Sequence, residues 1–205
     1  MTDKTDRVVI YVDGFNLYFG IIEAGFIHSK WLDISSLVKS YLTANQYLVK
    51  IKYFTSRITN NPAKQKRQTT FIEAIESSGI QIIYGLYKAI DIECHNCGHV
   101  WSISNEKMTD VNIATHLLMD AYSDLYDTAI LISGDSDLVP PIKAVHSNFP
   151  AKSVSVFFPP NRHNNTVAAA AKGFLVIGRK RIVANQFPDE VRKTDGFVLK
   201  KPSEW

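Results

Sequence analysis

Cysteine is scarce in this chain: among its 205 residues only Cys94 and Cys97 carry thiols, which excludes a disulfide framework. No apolar stretch is long enough to span a bilayer, so no membrane partner is expected. The opening segment, Met1-Thr2-Asp3-Lys4-Thr5-Asp6-Arg7, is polar and mixed in charge and lacks a secretory pattern, which makes the cytoplasm the expected compartment. A strong charge of one sign is also missing. The net charge of +3 is too small to announce nucleic-acid binding by itself. Its distribution matters more, because carboxylates gathered at a site must be subtracted from the surface that a polyanion would meet. There are no internal repeats and no linker that splits the chain in two.

What is present is ordinary for a soluble globular domain: 45% hydrophobic and 21% charged residues, in a length that suits one α/β domain with an insertion or a tail. The run Val8-Val9-Ile10-Tyr11-Val12 leads into Asp13-Gly14-Phe15-Asn16, and Ala129-Ile130-Leu131-Ile132 leads into Ser133-Gly134-Asp135-Ser136-Asp137. A β-branched run ending in a Gly-Asp turn reads as a buried parallel strand leaving its sheet. Between these runs the pattern predicts a helix from Phe15 to about Ala24, a short helix capped by Asp33, a strand over 46–55, a helix ending near Ser78 and a strand over 80–86. The strand over 46–55 sets Tyr47, Val49, Ile51 and Tyr53 on one face and Lys50 and Lys52 on the other. Residues 91–105 break this rhythm as a small hairpin or knuckle. A helix from Met108 to about Asp124 follows, then a strand over 127–132, a helix over 138–146 with Pro140 and Pro141 in its first turn, a strand over 152–158, a short helix over 164–171 and a last strand over 173–177. From Arg179 to residue 205 the chain reads as a basic, irregular tail. Strands alternating with helices give a parallel sheet with helices on both faces.

Ligands of open α/β sheets bind outside the carboxyl ends of the strands. Asp13, Asp135 and Asp137 are therefore aimed at one place, and grouped carboxylates need a cation or a shared proton. Asp110 adds a third acidic element, in the first turn of the helix that follows the insertion, with Lys107 just before it. Taken singly these residues have plain structural roles: Asp137 as the N-cap of the helix starting at Leu138, Asn16 as a turn residue, Asp110 as a helix-start residue.

Together, Val12-Asp13-Gly14-Phe15-Asn16-Leu17, then Lys107-x-x-Asp110-Val111-x-x-Ala114, then Ser133-Gly134-Asp135-Ser136-Asp137-Leu138-x-Pro140 resemble the NYN domain, a PIN-like nuclease group that includes the LabA-like bacterial proteins. The span covers about residues 7–178, and the domain is set at 1–178. The resemblance implies a PIN-like three-layer α/β/α sandwich with a central parallel sheet, and a divalent-metal ribonuclease site. It implies Asp13, Asp110 and Asp135 as catalytic, metal-binding carboxylates, with Asn16 and Asp137 in support. The family's closing segment usually carries one more acidic residue, where this chain reads Ala170-Ala171-Lys172-Gly173.

Oxygen-rich sites of this kind hold Mg²⁺ or Mn²⁺, which keep several waters and accept phosphate as a further ligand. Ser133 or Ser136 would bind a phosphate oxygen, and Lys107 would offset the acidic cluster. Arg57, Lys64, Lys66 and Arg67 around one helix start, Arg162 in a polar loop, and the basic tail are the groups available to grip a polyanion. Tyr18 is the aromatic expected to stack on an unpaired base, so single-stranded RNA is the favoured substrate.

A second chemical signal is Cys94-His95-Asn96-Cys97-Gly98-His99, a turn that presents two thiolates to one zinc. His99 is the best third ligand, and His95 the next. A fourth comes from His116, another side chain or a second subunit, the last making a homodimer. Trp101 either packs beneath this turn or stacks on a base. Two further function classes stand beside the ribonuclease. One is an RNA-binding regulatory module with little or no catalysis. The other is a small-molecule phosphatase: Asp13-Gly14 looks like the haloacid-dehalogenase nucleophile, but that motif needs a second Asp two residues on, where this chain has Phe15.

Overall fold

The computed structural model describes residues 5–59 and 61–205, without the side chains of 87–91 and 101–106. Trp101 therefore lies outside the described side chains. Ten strands and seven α-helices alternate among the described residues: β1 (Asp6–Asp13), α1 (Gly14–Glu23), α2 (Ile34–Lys39), β2 (Gln46–Thr55), α3 (Pro62–Ser77), β3 (Gln81–Tyr84), β4 (Leu86–Glu93), β5 (Val100–Lys107), α4 (Thr109–Tyr122), β6 (Thr128–Ile132), α5 (Val139–Asn148), β7 (Ser153–Phe158), α6 (Asn165–Ala170), β8 (Gly173–Val176), α7 (Arg179–Ala184), β9 (Glu190–Arg192) and β10 (Val198–Lys200). A 3-10 turn, Ser136–Leu138, joins β6 to α5.

Six strands form one parallel sheet in the order β3-β2-β1-β6-β7-β8. From β1 the chain winds outward through β2 and β3, then returns to the other side of β1 as β6 and winds out through β7 and β8. Such a reversal opens a crevice between the two central strands at their carboxyl ends. Those strands are β1 and β6, paired in register from Val8↔Thr128 to Val12↔Ile132. Asp13 and Ser133 thus leave the sheet side by side.

Both faces of the sheet are covered. Val8, Ile10 and Val12 pack with Leu17, Leu37 and Ile75 in one core, while Val9 and Tyr11 pack with Ile113, Leu117 and Ile142 in the other. The continuous apolar run of β1 follows directly from this burial on both sides. The helix starts are set by local chemistry: the carboxylates of Asp13 and Asp33 and the amide oxygen of Asn61 each accept a backbone N–H from the first turn they precede.

Three details differ from the sequence pattern. Leu86 does not continue the strand before it. Gly85 donates its N–H to the Thr55 carbonyl at 2.8 Å, and a Cβ there would lie 2.7 Å from the Lys107 carbonyl oxygen. The chain then departs as β4, which pairs antiparallel with β5 over Leu86↔Lys107 to Glu93↔Val100. Lys52 is buried rather than on an open polar face, because α4 covers β2 and brings Asp120 within 2.6 Å of its ammonium. The stretch after Arg179 is not irregular. It forms α7 and the β9–β10 hairpin, and Ile182, Phe187 and Leu199 join the core beneath Trp31, whose indole N–H donates to the Pro188 carbonyl at 2.8 Å. Ile182 and Leu199 sit singly in short elements and Phe187 between them in a loop, so no helical or strand period announces them. No described helix is long and apolar enough to cross a membrane.

Candidate active site at the carboxyl edge of the sheet

The crevice between β1 and β6 is built around one buried carboxylate. Asp13, 5% exposed, accepts the Asn16 N–H through Oδ1 at 3.0 Å and the Ser133 hydroxyl through Oδ2 at 2.9 Å. Ser133, fully buried, also accepts the Asp135 N–H at 3.1 Å, and so links the ends of β1 and β6. Asn16 closes the ring: its side-chain oxygen accepts the Gly134 N–H at 3.0 Å. With that oxygen engaged, the Asn16 NH₂ is the end left for a substrate oxygen.

Close backbone approach makes this packing possible. A Cβ on Gly134 would run into the Arg162 carbonyl, and one on Gly14 would lie 2.5 Å from the Tyr53 ring. Asn164, in the same polar loop as Arg162, caps α6 and donates to the Gly134 carbonyl at 3.2 Å. The sequence marks that loop as a candidate phosphate contact, and the structure gives its asparagine a bond to the end of β6.

The 3-10 turn changes the role of two aspartates. Asp135, not Asp137, supplies the cap, since its carboxylate accepts the Asp137 N–H at 2.9 Å. Asp137 lies in the first turn, and α5 starts without a side-chain cap. The expected capping role of Asp137 is therefore corrected: an extra 3-10 turn moves the start of α5 beyond it. Its carboxylate stays exposed.

Asp110 arrives from the first turn of α4, which packs against the 3-10 turn. Met108, in the left-handed conformation at φ 75°, turns the chain from β5 into this helix. Burial pushes the Asp110 carboxyl above its ordinary range, and the charges of Asp135 and Asp137 push it further. Among the described residues none of these three carboxylates has an ion-pair partner. Nor, among the described residues, do any three His, Cys, Asp or Glu side chains lie close enough together to hold a metal ion by themselves. The arrangement is open: Asp110, Asp135 and Asp137 on one side, and Asp13 joined to them through Ser133.

Mg²⁺ keeps most of its water and is held by one or two carboxylates plus substrate phosphate, not by a protein cage. Asp13, Asp110 and Asp135 are the residues that would hold it, and the mutual repulsion at Asp110 is what a cation would relieve.

The other expected site residues are distributed around this centre. Ser136 and Lys107 are exposed beside it. Arg57, just past β2, stacks on Tyr84 at 4.6 Å and donates to its hydroxyl at 2.9 Å. Arg162 is turned away and pairs with Glu23 on α1. Tyr18 faces a separate cleft between α1 and α3. Of the tail cations, Arg181 donates to the Ser40 carbonyl, Lys193 pairs with Glu73 and Lys200 with Glu190.

At the turn between β4 and β5, Cys94 donates its N–H to the His99 carbonyl, and Gly98, at φ 67°, donates to the Cys94 carbonyl, each at 2.8 Å. The backbone N–H groups of Asn96 and Cys97 point at the Cys94 sulfur and lower its pKa. Both thiols are free.

A doubly covered parallel sheet with an acidic crevice at its central carboxyl edge defines the class: an α/β protein with its candidate site where the strand order reverses. The NYN domain model matches residues 7–178, and the chain belongs to that family of PIN-like nucleases. It is 25% identical over 196 residues to the 6-hydroxy-3-succinoylpyridine 3-monooxygenase HspA of Pseudomonas putida (strain DSM 28022 / S16). That match covers 78% of this chain and only 62% of the relative's length. A crystal structure of a Vibrio parahaemolyticus RIMD 2210633 protein of unknown function superposes with a TM-score of 0.59 at 20% identity, over 87% of this chain and 97% of that one, a likeness of fold.

Proposed function

We propose that this NYN domain is a divalent-metal-dependent ribonuclease that hydrolyses phosphodiester bonds of single-stranded RNA. The observation that carries the reading is the group formed by Asp110, Asp135 and Asp137. These carboxylates repel one another without a cation among the described residues, beside the firmly held carboxylate of Asp13.

A bound Mg²⁺ or Mn²⁺ supplies positive charge to the phosphoryl oxygens and lowers the pKa of a coordinated water. The protein supplies position. Asp13 is held in place and tied to the end of β6, because Ser133 donates to the Asp13 carboxylate and accepts the Asp135 N–H. Asp110, beside Asp135 and Asp137, completes the acidic wall from the first turn of α4. The Asn16 NH₂ and the exposed Ser136 hydroxyl donate to phosphate oxygens and hold the strand in line. Lys107 offsets charge at the rim.

The thiols at the hairpin turn are a separate proposal: Cys94, Cys97 and His99 hold a structural Zn²⁺, with a fourth ligand from a second copy, giving a homodimer. Zinc that co-purifies in the full chain and is lost in Cys94→Ser supports it, and zinc content equal in both rejects it.

The test of the nuclease reading is cleavage of labelled single-stranded RNA by purified protein with Mg²⁺, Mn²⁺ or chelator, against Asp13→Asn and Asp135→Asn. Metal-dependent cleavage lost in both variants is the expected result. RNA binding without cleavage under either metal would favour the regulatory-module reading.

A further inference from the structure

Residues of α1, the end of β2 and the first half of α3 wall a cleft of about 450 Å³. Its volume falls in the range of small-ligand sites. Three cations line it, Lys30, Lys64 and Arg67, and they face a single carboxylate, Glu204. Aromatic rings, Tyr18, Phe71 and Trp205 among them, stand in the lining beside aliphatic side chains.

The charges are not exhausted by their internal partners. Arg67 gives Nη1 to Glu204 at 2.9 Å, and Lys30 donates to the Glu204 carbonyl at 3.2 Å while lying 5.5 Å over the Trp205 ring. Burial and the charge of Arg67 lower the Lys30 pKa, so these two cations repel each other inside the cleft. Lys64, exposed at the first turn of the 16-residue α3, has no ion-pair partner among the described residues. The Tyr18 hydroxyl, half-buried near Arg67, likewise has no hydrogen-bond partner among them. The aromatic wall is rigid, because Phe71 packs against Trp205 at 5.7 Å and against Trp31 at 6.3 Å.

Flat rings and excess positive charge in one concave site recognise a flat ring that carries an anion. We propose that this cleft binds a nucleotide, its base held against Tyr18 and Trp205 and its phosphate against Lys64 and Arg67. The nucleotide is either free or part of a strand. Gly14 and Phe15 line the cleft and directly follow Asp13, so a strand seated here continues toward the acidic crevice. The cleft is distinct from that crevice, and its ligand binding does not depend on catalysis.

The experiment is calorimetric titration of the full chain with adenosine 5′-monophosphate, adenosine and inorganic phosphate, repeated on Arg67→Gln, Lys64→Gln, Tyr18→Leu and Asp135→Asn. The monophosphate should bind measurably more tightly than either fragment. Arg67→Gln should weaken it about tenfold and Tyr18→Leu about fivefold or more. Lys64 is exposed and packs against nothing that holds the fold, so Lys64→Gln keeps the test valid if Arg67→Gln fails to fold. Asp135→Asn should bind the nucleotide like the parent, so a failed nuclease assay leaves this result standing. If the monophosphate competes with single-stranded RNA, the source is a strand; if it binds without competing, the source is a free nucleotide. Equal affinity for adenosine and the monophosphate, or unchanged binding in Lys64→Gln, Arg67→Gln and Tyr18→Leu, would overturn the proposal.

Discussion

At the amino end of the sheet Asp124 and Asp127 are paired with cations. Arg7 spans Asp127 at 2.9 Å and Asp124 at 3.0 Å, and Lys152 reaches Asp124 at 2.6 Å. At the carboxyl end Asp110, Asp135 and Asp137 stand together, and among the described residues no cation pairs with them. The contrast recurs within α4. Asp120, nine per cent exposed, receives the Lys52 ammonium at 2.6 Å and the Tyr11 hydroxyl at 2.5 Å, with His116 accepting from Lys52 at 3.1 Å. Asp110, three turns earlier on the same helix, receives only like charge. Burial and neighbouring Lys52 lower the His116 pKa, which keeps the ring neutral as an acceptor. A chain that balances its acidic groups at one end and in its interior, and leaves them unbalanced at the other end, marks the unbalanced end as the place for a charge from outside.

The largest expected effect comes from breaking the balanced side. Asp120→Ala leaves the buried Lys52 ammonium and Tyr11 hydroxyl without their acceptor, and should cost about 3 kcal/mol or more in urea unfolding. On the unbalanced side the effects reach activity. Ser133→Ala leaves the buried Asp13 carboxylate and the Asp135 N–H without their shared partner, and should lower RNA cleavage about 10–100-fold at a cost in stability of about 1–3 kcal/mol.

Asp110→Asn sharpens the contrast in the opposite sense. Because its carboxyl is held above its ordinary pKa by burial, Asp135 and Asp137, removing the charge should raise the melting temperature measured in chelator. Added Mn²⁺ should stabilise the parent more than this variant.

The smallest effect is at Asp124, whose carboxyl is held below its ordinary pKa by hydrogen bonds from Lys152 and then Arg7. A depressed carboxylate contributes stability that is present above its unfolded pKa and lost as pH falls through the folded one. Asp124→Asn should therefore leave stability near neutral pH slightly reduced and flatten the acid side of the profile, as read by thermal melts from pH 7 down to the acid transition.

The sheet and the position of its acidic edge were readable because the evidence for them is local. An apolar run ending in Asp13-Gly14 or Ser133-Gly134-Asp135 carries its meaning within a few residues. The balancing contacts were not readable. Lys52 and Asp120 are 68 residues apart, and nothing in the alternation of β2 marks Lys52 as paired. The cap exchange between Asp135 and Asp137 turned on a three-residue 3-10 turn, which shifts a helix start without altering composition. The cleft draws on α1, α3 and residues as late as Trp205, which no single window joins.

The central claim is that the carboxyl edge is completed by a divalent cation. Manganese binding followed by electron paramagnetic resonance on the full chain tests it directly. The parent protein should bind manganese at a site that is weakened in Asp110→Asn and in Asp135→Asn and unchanged in Asp124→Asn. Equal manganese binding by the parent, Asp110→Asn and Asp135→Asn would contradict it.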